Sequence, residues 1–261
     1  MSDINAAADE DLPFSRVFDF SGHVVLVTGA SGGIGRSTAE LFQERGAKLA
    51  LVDKSPKVIS VAEEIGDGAG AWEADITDEA QVVRTISEIA DRFGRIDVLI
   101  NSAGIGGVWP AETIKGADWS RVISVNLTGQ FLVTREVARR MLAAGRGRIV
   151  ILASQAALVG LENHAAYGAS KAGLLGMLRT MAVEWGPHGV TINAISPTVV
   201  DTDMSRAFWS GEKGDRARAE IPLRRFARPR EIAYAAMYLA SDAAAMITGT
   251  NLVIDGGRTI R

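Results

Sequence analysis

The sequence predicts an α/β domain in which helices cover both faces of a mostly or wholly parallel sheet of seven strands. Three observations predict it. Seven short apolar runs alternate with amphipathic, helix-length stretches along the 261 residues, the order that a parallel sheet with crossover helices requires. Several runs are continuously apolar, such as Val24-Val-Leu-Val27, Leu49-Ala-Leu-Val52 and Ile149-Val-Ile-Leu152. Strands covered on both faces read this way, whereas half-exposed strands alternate. Finally, the first run leads straight into a glycine-rich turn, at the place where such sheets hold a ligand.

The strands are expected at His23–Thr28, Lys48–Val52, Ala69–Trp72, Ile96–Asn101, Gly147–Leu152, Val190–Ala194 and Asn251–Ile254. Between them the helices are expected at Gly33–Arg45, Pro56–Ile65, Asp78–Phe93, Trp119–Ala144, His164–Trp185 and Pro229–Leu239. Residues 1–19 form an acidic N-terminal extension, and 20–261 form one domain with no linker or repeat that would divide it. The weakly patterned stretch Asp201–Arg225, with Gly211, Gly214 and dense charge, is expected to be a mobile segment over the substrate.

Composition narrows the function. Lys and Arg number 28 against 31 Asp and Glu, a net charge of −3, which argues against nucleic-acid binding, a process driven by a basic face. With no cysteine there is no disulfide, thiolate nucleophile or Cys-ligated metal, and three scattered histidines (His23, His164, His188) make a metal site an unsuitable reading. No apolar run reaches the roughly 18 residues of a membrane helix. Asp3, Asp9, Glu10 and Asp11, without Lys or Arg in the first 13 residues, do not resemble a secretory leader. The expectation is a cytoplasmic protein that binds a small molecule, with no membrane and no nucleic-acid partner.

The turn reads Thr28-Gly29-Ala30-Ser31-Gly32-Gly33-Ile34-Gly35. Glycines permit a tight turn and let backbone N–H groups approach a pyrophosphate at the N-terminus of the next helix. The alternative is a turn that merely packs helix against strand. Its position after the first buried strand favours the nucleotide. Asp53 ends the second strand, 18 residues beyond Gly35, where a carboxylate accepts bonds from both adenosine ribose hydroxyls and repels a 2′-phosphate. Lys54 is a neighbouring cation that would offset some of that repulsion, but no Arg or Lys lies between Gly29 and Gly35. The reading is NAD rather than NADP.

Tyr167 and Lys171 lie one helical turn apart and share a face. An ammonium there favours phenolate and makes the tyrosine an acid/base near neutral pH; an unremarkable surface pair is the alternative. Ser154 follows the strand ending at Leu152, at the carboxyl end where ligands bind, and its hydroxyl is placed to hold a substrate oxygen.

With these residues in order, the chain from about Phe20 to Arg261 resembles the short-chain dehydrogenase/reductase family, a single-domain Rossmann-type fold. The resemblance is carried by Thr28-Gly-Ala-x-x-x-Gly-Ile-Gly35, Asp75, Asn101-Ser-Ala-Gly104, Asn126, Ser154, Tyr167-x-x-x-Lys171 and Pro197. It implies that Gly29, Ser31, Gly33, Ile34 and Gly35 bind the cofactor with Asp53, and that Asp75 and Ile76 meet the adenine. It further implies that Asn101, Ala103 and Gly104 form the wall beneath the ribose, and that Pro197, Val200 and Thr202 approach the nicotinamide. Ser154 would orient the reacting oxygen and Tyr167 would exchange the proton. Lys171 would bind ribose hydroxyls and tune Tyr167, and Asn126 would position a relay water. Gln155, His164 and Trp209 are candidate substrate contacts. Two positions depart from the family pattern: Ser102 stands where asparagine is common, and Thr198 where glycine often follows the proline, so the loop after strand six is expected to run differently.

The resemblance extends to sugar-alcohol dehydrogenases through Ala153-Ser154-Gln155-Ala156, Asn193-Ala-Ile-Ser-Pro-Thr-Val-Val200 and Val253-Ile-Asp-Gly-Gly257. It implies interconversion of a secondary alcohol and a ketone on a short polyol or ketose. A 3-oxoacyl-thioester reductase is the alternative enzyme, and a catalytically silent dinucleotide-binding sensor is the alternative of another class. A homotetramer is implied by the family, with small residues Ala166, Ala169, Ser170 and Gly173 allowing close helix approach. Trp72 and Trp185 are read as packing residues, His23 and His188 as solvated surface, and Trp109 as lying near the substrate mouth.

Overall fold

The computed structural model describes residues 16–66 and 68–261; most of the acidic extension lies outside the described residues. The chain forms strands β1 (Val24–Thr28), β2 (Lys48–Asp53), β3 (Ala69–Glu73), β4 (Val98–Asn101), β5 (Gly147–Leu152), β6 (Val190–Pro197) and β7 (Asn251–Ile254). All pair in parallel, in the order β3-β2-β1-β4-β5-β6-β7. The order reverses between β1 and β4, so the loops leaving these two strands diverge and leave a crevice at the carboxyl edge.

Helices α1 (Gly33–Gln43), α2 (Lys57–Ile65) and α9 (Pro229–Ala240) bring Leu41, Phe42, Val58, Val61, Ile232 and Ala236 to one face of the sheet. The other face is covered by α3 (Glu79–Phe93), α5 (Gln130–Ala144) and α6 (Ala165–Trp185), through Ile86, Val137, Leu174 and Leu178. Every residue of β1 and of β6 is buried; β1 reads as a nearly unbroken apolar run for that reason, whereas β6 also buries the polar Thr191, Asn193 and Ser196. At roughly 25 cal/mol per Å² of apolar surface removed from water, a two-sided core of this kind dominates the favourable side of folding.

Four local differences from the sequence expectation have physical causes. Strand β6 continues to Pro197 because the Ser196 hydroxyl donates to Asn251 Oδ1 at 2.8 Å inside the β6–β7 pairing. The helix expected at 119–144 starts earlier, as α4 (Gly116–Ile123), and a π-helical turn at Ser124–Gly129 separates it from α5; such turns recur at functional sites. Stretch 201–225 contains α7 (Asp203–Phe208) and α8 (Gly211–Glu220). Thr202 and Ser205 form a capping box at the start of α7, and Arg216 pairs with Glu212 one turn away on α8. Caps and i,i+4 pairs carry helices that lack an apolar stripe. Lastly, His23 packs edge-on against Phe20 with ring centroids 5.6 Å apart, and its Nδ1 is buried without a partner, whereas His188 is exposed as expected. Among the described residues no helix is long and apolar enough to cross a membrane.

Candidate active site

The glycine turn leaves β1 on the crevice side. Gly29 has φ +67°, and a Cβ there would stand 2.8 Å from the Ala103 Cα, while one on Gly35 would stand 2.2 Å from the Gly29 carbonyl. The loop after β4 and helix α1 therefore close against bare backbone, an approach that side chains would block. Ile34 packs onto the first core cluster, and Gly33 faces the methyl of Thr202, which brings the start of α7 across the turn. The Ser31 amide donates to Asp53 Oδ2 at 3.0 Å, and its hydroxyl is buried with no partner. A narrow glycine cradle, an orphaned hydroxyl and a carboxylate at the next strand end fit the pyrophosphate and ribose of a dinucleotide.

Beside it, Lys54 donates to Asp75 Oδ2 at 2.6 Å. The Thr77 amide and hydroxyl donate to Asp75 Oδ1 at 3.0 and 2.7 Å. Burial raises the Asp75 carboxyl, but the Lys54 and Thr77 bonds outweigh it and hold it at about 2. The cation that would oppose Asp53 is thus paired with another carboxylate. Ile76 is buried beneath this corner, against Gly129.

Asn101 ends β4 fully buried. It accepts from the Thr28 hydroxyl at 2.8 Å and donates to the Gln130 carbonyl at 2.9 Å and to Thr134 at 3.1 Å. Thr28 in turn accepts from the Ser102 and Ala103 amides at 3.1 Å, and Gln130 Nε2 donates to the Ala103 carbonyl at 2.7 Å. Asn101 holds the wall from behind, and Ala103 and Gly104 form it. Thr28 and Gln130 are supports that the motif reading left unassigned. The signal for Gln130 is a polar residue in an otherwise apolar helix face, one turn after Asn126. Ser102 enters this wall through its amide, so its replacement of asparagine leaves the Thr28 bond in place. Thr198 also departs little. Its amide extends the sheet to the Ile254 carbonyl at 3.1 Å, and among the described residues only Asn163 and Arg224 are non-glycine residues at positive φ.

Ser154, Tyr167 and Lys171 converge beyond this wall. The Ser154 hydroxyl accepts from the Ala156 amide at 3.1 Å and is hydrogen-bonded to the Tyr167 hydroxyl. Lys171 Nζ lies 5.8 Å from the Tyr167 ring centroid and donates to the Leu152 carbonyl at 2.6 Å. Burial pushes the Lys171 ammonium down to about 8. Burial also raises the Tyr167 phenol, and the Ser154 bond offsets part of that rise. The lowering expected from Lys171 therefore does not set the direction of the Tyr167 shift in the chain alone. Asn126, fully buried in the π-helical turn, accepts from the Ile105 amide at 2.8 Å and donates to the Ile105 carbonyl at 2.9 Å and to Ser170 at 3.3 Å. Ser170 itself donates to the Tyr167 carbonyl at 2.7 Å. A Cβ on Gly104 would lie 3.3 Å from Asn126 Oδ1 and 3.6 Å from Lys171 Nζ. The Ala103–Gly104 wall and Lys171 are therefore adjacent.

Gln155 follows Ser154 with its side chain buried and its Oε1 without any partner. The His164 ring packs edge-on to Tyr167, centroids 6.1 Å apart. Its Nδ1–H donates to the Glu162 carbonyl at 2.6 Å, which leaves Nε2 as the acceptor of the neutral ring. Trp109 bridges to His164, its amide donating to the Asn163 carbonyl at 2.9 Å. Pro197 ends β6, and Val200 is buried and bridged to Ala227. Thr202 caps α7. Trp209 follows α7 directly, with ring contacts to Phe208 and Lys213. On α8 the described buried residue is Gly214 alone. With so little apolar anchoring, amides of residues 203–220 are expected to exchange fastest among the helices and to slow when cofactor and substrate bind together. Hydrogen exchange that is slow there in the free protein and unchanged by both ligands would refute this.

The family model described as Enoyl-(Acyl carrier protein) reductase matches residues 29–259. The chain is 48% identical over 250 residues to a D-threitol dehydrogenase of Mycolicibacterium smegmatis, covering 94% of this chain and 96% of that protein. It is 41% identical to an NAD-dependent glycerol dehydrogenase of Listeria innocua, covering 95% and 98%. Among solved structures, an NAD⁺-bound xylitol dehydrogenase superposes with a TM-score of 0.88 at 33% identity, covering 91% of this chain and 99% of that one. With the family model matching residues 29–259 and relatives 41–48% identical over nearly their whole length, the chain belongs to the short-chain dehydrogenase/reductase family.

Proposed function

We propose that the protein is an NAD-dependent oxidoreductase that interconverts a secondary alcohol and a ketone on a short polyol or ketose, of about four to six carbons. One observation carries the substrate class: the buried, unpartnered Gln155 Oε1 beside Ser154. An unpaired buried acceptor costs about 1–3 kcal/mol, and a hydroxyl next to the reacting carbon satisfies it. An acyl chain or steroid would leave it unpaired.

The residues that hold the cofactor in this reading are the turn Gly29–Gly35, Asp53, Asp75, the Ala103–Gly104 wall, Lys171 and the segment Pro197–Thr202. Bound NAD supplies the hydride acceptor. The protein's own part is the proton. Ser154 holds the substrate oxygen, and Tyr167 as phenolate takes its proton. Lys171 lies close enough to favour that phenolate electrostatically. Asn126 keeps the Ile105 segment against the site and, through the π-helical turn, shapes the path by which the proton leaves. The relatives named above, which are threitol, glycerol and xylitol dehydrogenases, support the same substrate class. In the same reading the protein works in the cytoplasm as a homotetramer, with exposed Val183, Met246 and Ile260 available for subunit contacts.

The test is a substrate panel followed at 340 nm. Gln155→Leu and His164→Leu should each lower kcat/KM on the best polyol by roughly tenfold, the scale of one lost hydrogen bond, while sparing a simple secondary alcohol. If both variants keep wild-type values on the best polyol, or an acetoacetyl thioester with NADPH outruns every polyol, the substrate class is wrong.

A further inference from the structure

Away from the catalytic group, the described residues line an open cleft of about 310 Å³ between α7, α8 and the segment leading into α9. Its chemistry is one-sided. Arg206, Arg218, Arg225 and Arg228 line it against a single carboxylate, Asp201, with Trp209 and Phe226 as flat walls. Arg218 lies over the Phe226 ring at 5.0 Å. Glu231 holds Arg225 through both carboxylate oxygens, at 2.6 and 2.7 Å, which fixes that fork in place. Arg206 pairs with Asp201 and with Asp203, the latter almost fully exposed, and the Arg218 partner Asp215 is exposed too. Exposed pairs of this kind are weak and exchange readily for a better acceptor. Arg228 forms no side-chain salt bridge among the described residues, although its amide donates to Glu231 Oε2 at 2.8 Å and its charge acts on that carboxylate. It also caps the 12-residue α9, whose N-terminal partial charge adds to the same field.

We propose that this cleft binds a small multivalent oxyanion, bearing phosphate or carboxylate groups, that ties α7 and α8 to the base of α9. Guanidinium forks match the planar geometry of such groups, and Trp209 and Phe226 give the site flat walls. Ser154, Tyr167 and Lys171 are absent from the lining, so the occupant is not the molecule that exchanges hydride. It reaches the active site through position: Asp201 and Ser205 flank Thr202, which faces the glycine turn.

The experiment is calorimetric titration of the full-length protein with inorganic phosphate and, separately, with citrate. Saturating NADH keeps the pyrophosphate site filled, and sodium chloride holds ionic strength constant. One saturable site per chain is expected, with Arg206→Gln and Arg228→Gln each weakening it at least tenfold and Arg228→Lys weakening it less. Exchange of the amides of residues 203–220 should slow when the anion is bound. Saturation by phosphate alone identifies a phosphate site, and saturation by citrate alone a carboxylate site. The proposal is overturned by wild-type heats no larger than those of chloride, by displacement with NADH, or by binding that survives both glutamine variants. The wild-type titration decides the matter even if a variant fails to fold, and the melting curve of each variant reports that.

Discussion

Tyr167→Phe is expected to lower alcohol oxidation at least ~100-fold, the lower range for removal of a general acid/base, while NADH binding followed by fluorescence persists. The separation follows from the architecture. The glycine turn, Asp53 and the Ala103–Gly104 wall are held by contacts that do not involve the phenol, whereas Ser154 and Tyr167 share a hydrogen bond. The pH dependence has a definite sign. Burial raises the Tyr167 phenol, so phenolate, the form that accepts the alcohol proton, becomes more populated as pH rises, and oxidation should rise with it. The reverse reaction needs the protonated phenol and should fall over the same range. A flat oxidation profile with chemistry rate-limiting, or a Phe variant as fast as wild type, would remove Tyr167 from this role. Lys171→Ala should differ in kind from Tyr167→Phe. It removes an ammonium next to both Tyr167 and Gly104, so cofactor affinity and turnover fall together.

The second large effect is discrimination between cofactors. A ribose contact at Asp53 replaced by an unpaired 2′-phosphate should cost about 2–4 kcal/mol, or roughly 30- to 1,000-fold in kcat/KM in favour of NAD. Lys54 is the residue that sequence leaves ambiguous here, because a cation adjacent to Asp53 would relieve the repulsion. In the fold its ammonium is 2.6 Å from Asp75, a carboxylate held at about 2 and therefore charged throughout the working pH range. Lys54→Ala should accordingly leave the preference for NAD in place, while Asp53→Ala should narrow it. Equal kcat/KM with NADP in the wild type would show that Lys54 governs the pocket after all.

Both predictions rest on residues that local sequence identifies, and the reason is physical. Strands buried on both faces tend to be continuously apolar, so β1, β2 and β5 announce themselves, and the turn after β1 needs glycines wherever backbone meets backbone. Tyr167 and Lys171 are one turn apart on a single helix, so their proximity is encoded by helical period alone. The order of these elements determined the parallel, doubly wound fold. Strand ends were less legible. Ser196 and Pro197 look like loop until Asn251, 55 residues later, supplies the hydrogen bond.

Tertiary structure alone decided the contacts between distant segments. Thr28 and Gln130 support the wall at Ala103 across 75 and 27 residues, and no local pattern encodes such pairings. The charged stretch after β6 carries no apolar period, so its helices α7 and α8 were unreadable, and only their caps and ion pairs explain them. Trp209 lies on the same stretch. Its neighbours are Phe208, Lys213 and an arginine-lined cleft, while Gln155 and His164 take the places beside Ser154 and Tyr167. The glycine turn and the Tyr167–Lys171 pair were legible because each is built within a single element or the turn that follows it. Gln155 and His164 lie in the connection between β5 and α6, and the arginine-lined cleft lies within residues 201–228, where no apolar period shows how the chain folds back, so these groupings appear only in the fold.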